Sequence, residues 1–125
     1  MIELHNSTLN FIGDPDKGSF ALQPADEALP ALWGARMRVL YRVKGRPVDL
    51  LADGWPVTNA TSLPRSPSLL GLLNQVELQL APDDNGLTGH ITFALSDLLP
   101  MLLWKVSLEN RGTEPLTLDR IEMLR

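Results

Sequence analysis

The sequence predicts an all-β protein, an antiparallel β-sandwich that forms a single domain over residues 1–125. Short stretches with alternating apolar and polar residues recur along the chain, and turns rich in Gly, Pro, Asp and Asn separate them. No window of about eleven residues keeps the 3.6-residue period of a helix. Roughly seven to ten short strands, with one or two short helical turns, account for this pattern.

The first half of the chain contains its clearest strand between Met37 and Val43, where every second residue is apolar. Three shorter alternations precede it, at Ile2 and Leu4, Leu9 and Phe11, and Phe20 and Leu22. The segment Gly13–Gly18 has the composition of a turn. Residues 24–35 are predicted to be a loop with one helical turn, and Val48–Leu51 a short return strand.

The stretch from Ala52 to Ser68 has no period and contains three prolines, so it is predicted to be a long connection. Loops of this length inside a compact domain are often functional, although a solvated crossover between sheets explains the composition as well. Strands are predicted at Val76–Leu80 and Leu87–Leu95. The Asn-Gly pair between them is typical of a hairpin.

The segment Met101–Arg125 is predicted to form a second β-hairpin that closes the sandwich core. Its first strand alternates through Trp104, which is expected to be buried, and Gly112 and Pro115 mark the turn. The apolar parity then shifts by one residue across Asp119-Arg120, which predicts a β-bulge in the last strand.

Composition excludes several classes of function. Eleven basic and fifteen acidic residues give a net charge of −4, which disfavours nucleic-acid binding. The absence of cysteine removes disulfides, thiolate metal sites and cysteine nucleophiles. Neither a signal peptide nor an apolar run long enough to span a membrane is present, so a cytoplasmic location is expected.

No constellation of residues predicts a catalytic, cofactor-binding or metal site. The two histidines lie on different predicted strands without a second ligand at short spacing, so they are expected to be exposed strand residues. Two pairs of carboxylates lack the further oxygen ligands of a calcium loop and are expected to cap turns. These residues are His5 and His90, and the pairs Asp14 with Asp16 and Asp83 with Asp84.

Two tryptophans are the candidate contacts for a carbohydrate or a protein partner. Trp33 and Trp55 both lie in segments without strand periodicity, and an exposed indole ring can stack on a sugar or fill a pocket. Trp33 is expected to plug the end of the sandwich. Trp55 is expected to be the more open of the two because its neighbours are polar and its predicted loop is long.

Residues 104–120 resemble a segment of a known protein family, and they read WKVSLENRGTEPLTLDR. A strand ending in Asn110, an Asn-x-Gly-x-x-Pro turn and a Leu-x-Leu-x-Arg strand resemble the N-terminal β-supersandwich of melibiase-type α-galactosidases. The motif match covers about twenty residues, and the likeness over the other hundred is architectural. The resemblance implies a supersandwich of the galactose-mutarotase-like type.

The resemblance also implies a function. In that family the catalytic aspartates lie in a downstream (β/α)8 barrel, so no residue of this chain receives a catalytic role. Because residues 121–125 are strand-like to the last residue, the chain is expected to be an excised N-terminal domain of a longer protein, and the resemblance implies that this protein is a glycoside hydrolase. That domain would support the barrel, take part in oligomer contacts and act in carbohydrate metabolism. The alternative is a stand-alone carbohydrate-binding or protein-interaction module.

Overall fold

A computed structural model describes residues 1–124 and shows an antiparallel β-sandwich, which confirms the predicted fold class. The ten strands are β1 (Ile2–His5), β2 (Leu9–Asp14), β3 (Ser19–Pro24), β4 (Leu32–Val43), β5 (Arg46–Asp49), β6 (Val57–Ser68), β7 (Gly71–Leu80), β8 (Leu87–Ser96), β9 (Leu102–Asn110) and β10 (Leu116–Leu124). The predicted helical turns are wrong, because no helix occurs among these described residues. Residues 25–31 contain one turn, in which Leu29 N donates a hydrogen bond to Asp26 O. Strand β4 begins at Leu32, two residues after Pro30.

The strands divide between two sheets. Sheet A has the order β1-β2-β3-β4-β10. The short strand β5 pairs with the second half of β4, along the same edge of β4 whose first half pairs with β3. Sheet B has the order β6-β7-β8-β9, which is a meander in which each strand pairs with its successor. The predicted hairpin at Asn85-Gly86 is confirmed as the β7–β8 connection.

The predicted hairpin over Met101–Arg125 is wrong in its pairing. β9 lies in sheet B beside β8, whereas β10 lies in sheet A beside β4, so the turn at 111–115 crosses from one sheet to the other. Alternation shows which face of a strand is buried but not which strand it pairs with. The predicted bulge is confirmed, since the β10–β4 register shifts between Leu118 and Arg120.

The connection predicted over residues 52–68 is also wrong, because most of it is the edge strand β6. Nearly all of β6 is exposed on both faces, so no alternation marks it in the sequence. Proline is tolerated on an edge strand because it removes only a donor that faces solvent. Pro64 falls in one of two interruptions of the β6–β7 ladder, between Leu63 and Ser66.

The core lies between the two sheets and is continuous across them. Its centre is aromatic: the ring of Phe93 from sheet B lies 4.6 Å from Phe11 and 5.9 Å from Phe20 of sheet A, centroid to centroid. Met37, Val39 and other inward residues of β4 extend the core along sheet A. Burial of these apolar side chains is the main stabilisation of the fold.

The antiparallel strands place the connections at two opposite ends of the sandwich. One end carries the β2–β3, β4–β5, β5–β6, β7–β8 and β9–β10 connections, and we call it the acidic end because five aspartates surround a cavity there. The other carries the β1–β2, β3–β4, β6–β7 and β8–β9 connections, and we call it the apolar end. The two ends have different chemistry.

Candidate functional site: the two ends of the sandwich

A cavity of about 460 Å³ opens at the acidic end. Trp55 and other residues of the β2–β3, β5–β6 and β7–β8 connections line it, together with five aspartates: Asp16, Asp49, Asp53, Asp83 and Asp84. Two of these carboxylates are already committed to the fold. Asp49 accepts from Leu51 N at 3.1 Å, and Asp83 Oδ1 accepts from Leu87 N at 2.9 Å. The predicted turn-capping role is therefore confirmed for Asp83.

Tyr41 joins the two sheets at this end. Its hydroxyl donates to Asp83 Oδ2 and accepts from Asn85 Nδ2 at 3.0 Å, so a β4 side chain holds the β7–β8 turn. Burial of the phenol, together with the hydrogen bond to Asp83, raises the pKa of Tyr41 to about 12. The neutral hydroxyl is the form that this arrangement stabilises.

Glycines allow the connections of the acidic end to pack backbone against backbone. Gly54 has φ +110°, and a Cβ there would lie 2.7 Å from Pro15 O and 2.8 Å from Asp16 O. Gly86 has φ +81°, and its Cβ would meet Gly112 N at 2.5 Å. These positions have no room for a side chain, so the connections of this end meet through their main chains.

Trp55 forms the floor of this end and is 3% exposed, contrary to the expectation that it is open. Its ring centroid lies 5.5 Å from that of Phe93. A Cβ on Gly13 would lie 3.1 Å from the indole, which shows how closely β2 passes it. The residues next to Trp55 in the sequence do not predict its burial, because the residues that bury it come from β2 and β8. A ring so enclosed does not offer a face for stacking on a sugar.

The apolar end exposes most of the large hydrophobic side chains that face solvent. Leu69, at the β6–β7 turn, is fully exposed, and Leu98, at the β8–β9 connection, is 68% exposed. The other exposed apolar residues at or near this end are Leu29, Trp33, Leu72, Leu99, Met101 and Trp104. Large apolar side chains exposed together at one end of a domain commonly mark an interaction site.

Hydrogen bonds hold the connections of the apolar end together. Asn6 Oδ1 accepts from Thr8 N at 2.9 Å and Leu9 N at 2.7 Å, while its Nδ2 donates to Ser96 O. Leu72 N donates to Asp97 Oδ1 at 2.9 Å, which joins the start of β7, next to the β6–β7 turn, to the β8–β9 connection. The exposed leucines are thus displayed on fixed turns.

The positions of Trp33 and Trp104 also differ from expectation. Trp33 does not plug the sandwich: it is 64% exposed at the start of β4. Trp104 lies opposite Phe93 in the β8–β9 register and so faces inward, yet it is 40% exposed. β9 is the outermost strand of sheet B, so its inward face is only partly covered. Of the two predicted contact residues, only Trp33 presents an accessible ring; whether either binds a ligand stays a prediction.

The remaining titratable groups of the part of the chain that the structure describes do not converge on one site. His5 is exposed as predicted; its Nδ1 donates to Asn10 Oδ1 at 2.9 Å, which raises the pKa of His5, and Glu3 adds to this effect. On the outer face of sheet A, arginines of β4 pair with carboxylates of β10 and Asp49, for example Arg42 with Asp119 at 2.9 Å. Within residues 1–124 no group of three or more possible metal ligands occurs.

None of the described residues belongs to a helix that could cross a membrane. The sequence matches no protein-family model, and comparison with curated proteins and with solved structures gives no match either.

Proposed function

We propose that this chain is a non-catalytic β-sandwich domain that supports a catalytic domain of a glycoside hydrolase by docking against it through the apolar end. The observation that carries the proposal is the set of leucines displayed at the β6–β7 and β8–β9 turns, above all Leu69 and Leu98. The resemblance of residues 104–120 to the α-galactosidase supersandwich supplies the class of the partner.

The energetics favour a protein surface as the partner of this end. Each large apolar side chain that becomes buried contributes roughly 1.5–3 kcal/mol, and several exposed ones lie on neighbouring turns. Because the turns are held by Asn6 and Asp97, little conformational entropy is lost when they dock. β10 also runs toward this end. In the family that the chain resembles, the corresponding strand leads toward the catalytic barrel.

The first part of the test is the reading frame beyond residue 125. The proposal requires a continuation of barrel size with paired carboxylates at strand ends. If such a chain exists, amide hydrogen exchange at residues 69–72 and 98–101 should be slower in the long protein than in the 125-residue domain. A frame without a barrel, or unchanged exchange at both turns, contradicts the proposal.

The second part uses the double variant Leu69→Glu, Leu98→Glu. The free energy of unfolding of the isolated variant should differ by no more than about 0.5 kcal/mol from that of the unmodified domain, because both side chains are already exposed. In the two-domain protein the same changes should remove the exchange protection. Leu118→Glu is the matched control, since Leu118 is an exposed leucine at the acidic end and should leave the protection intact.

A carbohydrate-binding module is the second candidate, and the exposed ring of Trp33 is the observation that favours it. A stacking anchor predicts that Trp33→Ala weakens binding of an oligosaccharide by about 1–3 kcal/mol. Trp55 is too buried to act in this way. A flat calorimetric titration of the unmodified chain against an oligosaccharide panel would eliminate this candidate.

A further inference from the structure

The outer strands of the two sheets differ in how well their free edges are protected. Among the described residues, β1 has four residues, β6 contains two prolines and two register shifts, and β10 is bulged. β9 instead pairs with β8 over nine residues without a shift, and it contains no proline. A long unbroken edge presents a row of backbone donors and acceptors to any strand that approaches it.

The residues of β9 are self-complementary about Ser107. On the outer surface of sheet B, Lys105, Ser107 and Glu109 alternate along the strand, and all three are exposed. If a second copy of β9 lies antiparallel with Ser107 opposite Ser107, each Lys105 faces a Glu109 of the other copy. On the inner surface the same register sets Val106 opposite Leu108. Opposite charges and apolar pairs directly across two strands are both stabilising.

We propose that a second copy of this chain binds along the β9 edge, with a two-fold axis through Ser107, so that the two copies of sheet B form one continuous antiparallel sheet. A two-fold contact requires a surface that complements itself, and this register meets that requirement. An axis at Lys105 would place two lysines together, and an axis at Val106 would lose both charge pairs.

The charges on β9 are available for this contact. Within residues 1–124, Lys105 makes no ion pair. Glu109 pairs with Arg111 at 3.2 Å, but both side chains are about 60% exposed, so exchanging that partner costs little. Trp104, on the inner face of the same strand, would lose part of its 40% exposure as the second copy covers this side.

The test is sedimentation equilibrium of the 125-residue chain over micromolar to millimolar concentration at low salt. The unmodified chain should show a monomer–dimer equilibrium. Lys105→Glu alone and Glu109→Lys alone should each weaken the dimer by roughly tenfold or more, because each change converts two attractive pairs into two repulsive ones. Lys44→Glu removes an exposed lysine of the β4–β5 turn, away from β9, and should leave the dimer unchanged.

Charge exchange tests the register itself. An equimolar mixture of the Lys105→Glu and Glu109→Lys variants should form a heterodimer within about threefold of the original affinity, since both pairs are again opposite in charge. The double variant Lys105→Glu, Glu109→Lys should form a homodimer of similar strength. A monomer at every concentration, a dimer insensitive to the single changes, or a mixture that fails to associate would each overturn the proposal. The Leu69→Glu variant should still dimerise, which separates this contact from docking at the apolar end.

Discussion

The acidic and apolar ends of the sandwich are built from the same kind of strand connection but are stabilised differently. At the acidic end, glycines let the connections touch main chain to main chain, and Tyr41 bonds to the turn of the opposite sheet. At the apolar end, side-chain hydrogen bonds from Asn6 and Asp97 fix the turns, and the leucines beside them face solvent. One end therefore uses its residues to hold the fold together, whereas the other displays its leucines to solvent.

The largest expected effect comes from a substitution that breaks the close packing of the acidic end. Gly54→Ala should lower the free energy of unfolding by about 3 kcal/mol or more, because the residue has positive φ and its Cβ would press on two backbone oxygens. Urea denaturation followed by tryptophan fluorescence measures this change.

Gly34→Ala is the matched control near the apolar end. Gly34 also has positive φ, at +64°, but a Cβ there meets nothing within 4 Å. Only the left-handed backbone penalty remains, so a loss of about 1 kcal/mol is expected. Equal losses for the two alanine variants would show that the crowding at Gly54 is not what distinguishes the ends.

The hydroxyl of Tyr41 links the two sheets, and its loss should have the second-largest effect. Tyr41→Phe should lower the free energy of unfolding by about 2 kcal/mol at neutral pH, because Asp83 loses a donor. The raised pKa of Tyr41 also implies a pH window. Between pH 10 and about 12 the unfolded chain releases this proton while the folded chain keeps it, so the stability that Tyr41 contributes is lost as pH rises.

Unfolding measured at pH 9 and pH 11.5 tests that sign. The unmodified protein should lose roughly 2 kcal/mol more across this interval than Tyr41→Phe, because the variant has no proton to release at this position. If the free energy of unfolding falls by the same amount in both proteins over this interval, the fold does not stabilise the neutral form of the Tyr41 hydroxyl.

The smallest of these effects is expected at the apolar end. Asn6→Ala removes the acceptor for Thr8 N and Leu9 N and the donor to Ser96 O, and should cost about 1 kcal/mol since the site is partly open to water. Hydrogen exchange should quicken at Thr8 and Leu9 and stay unchanged at Leu87 of the acidic end. Faster exchange at both ends would mean that the two ends are not independent.

The sequence predicted the fold wherever a strand has one buried face. β4 and β7 alternate clearly, and the hairpin turn at Asn85-Gly86 and the bulge near Asp119 followed from local chemistry. β6 was missed because both its faces are exposed and its prolines are typical of loops. The partners of β9 and β10 were missed because a short turn fits either a hairpin or a crossing between sheets.

The tryptophans show why the candidate site was harder to predict. Trp104 has the parity of a core residue, but parity does not reveal that its strand is outermost in the sheet. Trp55 lies among polar neighbours, but the residues that enclose it are distant in sequence. The apolar end likewise depends on turns from both sheets meeting in space, which no single stretch of sequence contains.

The pairing of β10 with β4 has a consequence for the order of folding. All of sheet B lies between these two strands in the sequence, and sheet B is a meander of neighbouring strands. Local pairings form faster than distant ones, so sheet B can assemble while the ribosome is still completing the chain. The edge of β4 must then wait for the last strand to emerge, and until that moment Val39 and Tyr41 lack a neighbouring strand on that side. A nascent chain that stalls after β9 would therefore expose this edge to chaperones or to aggregation.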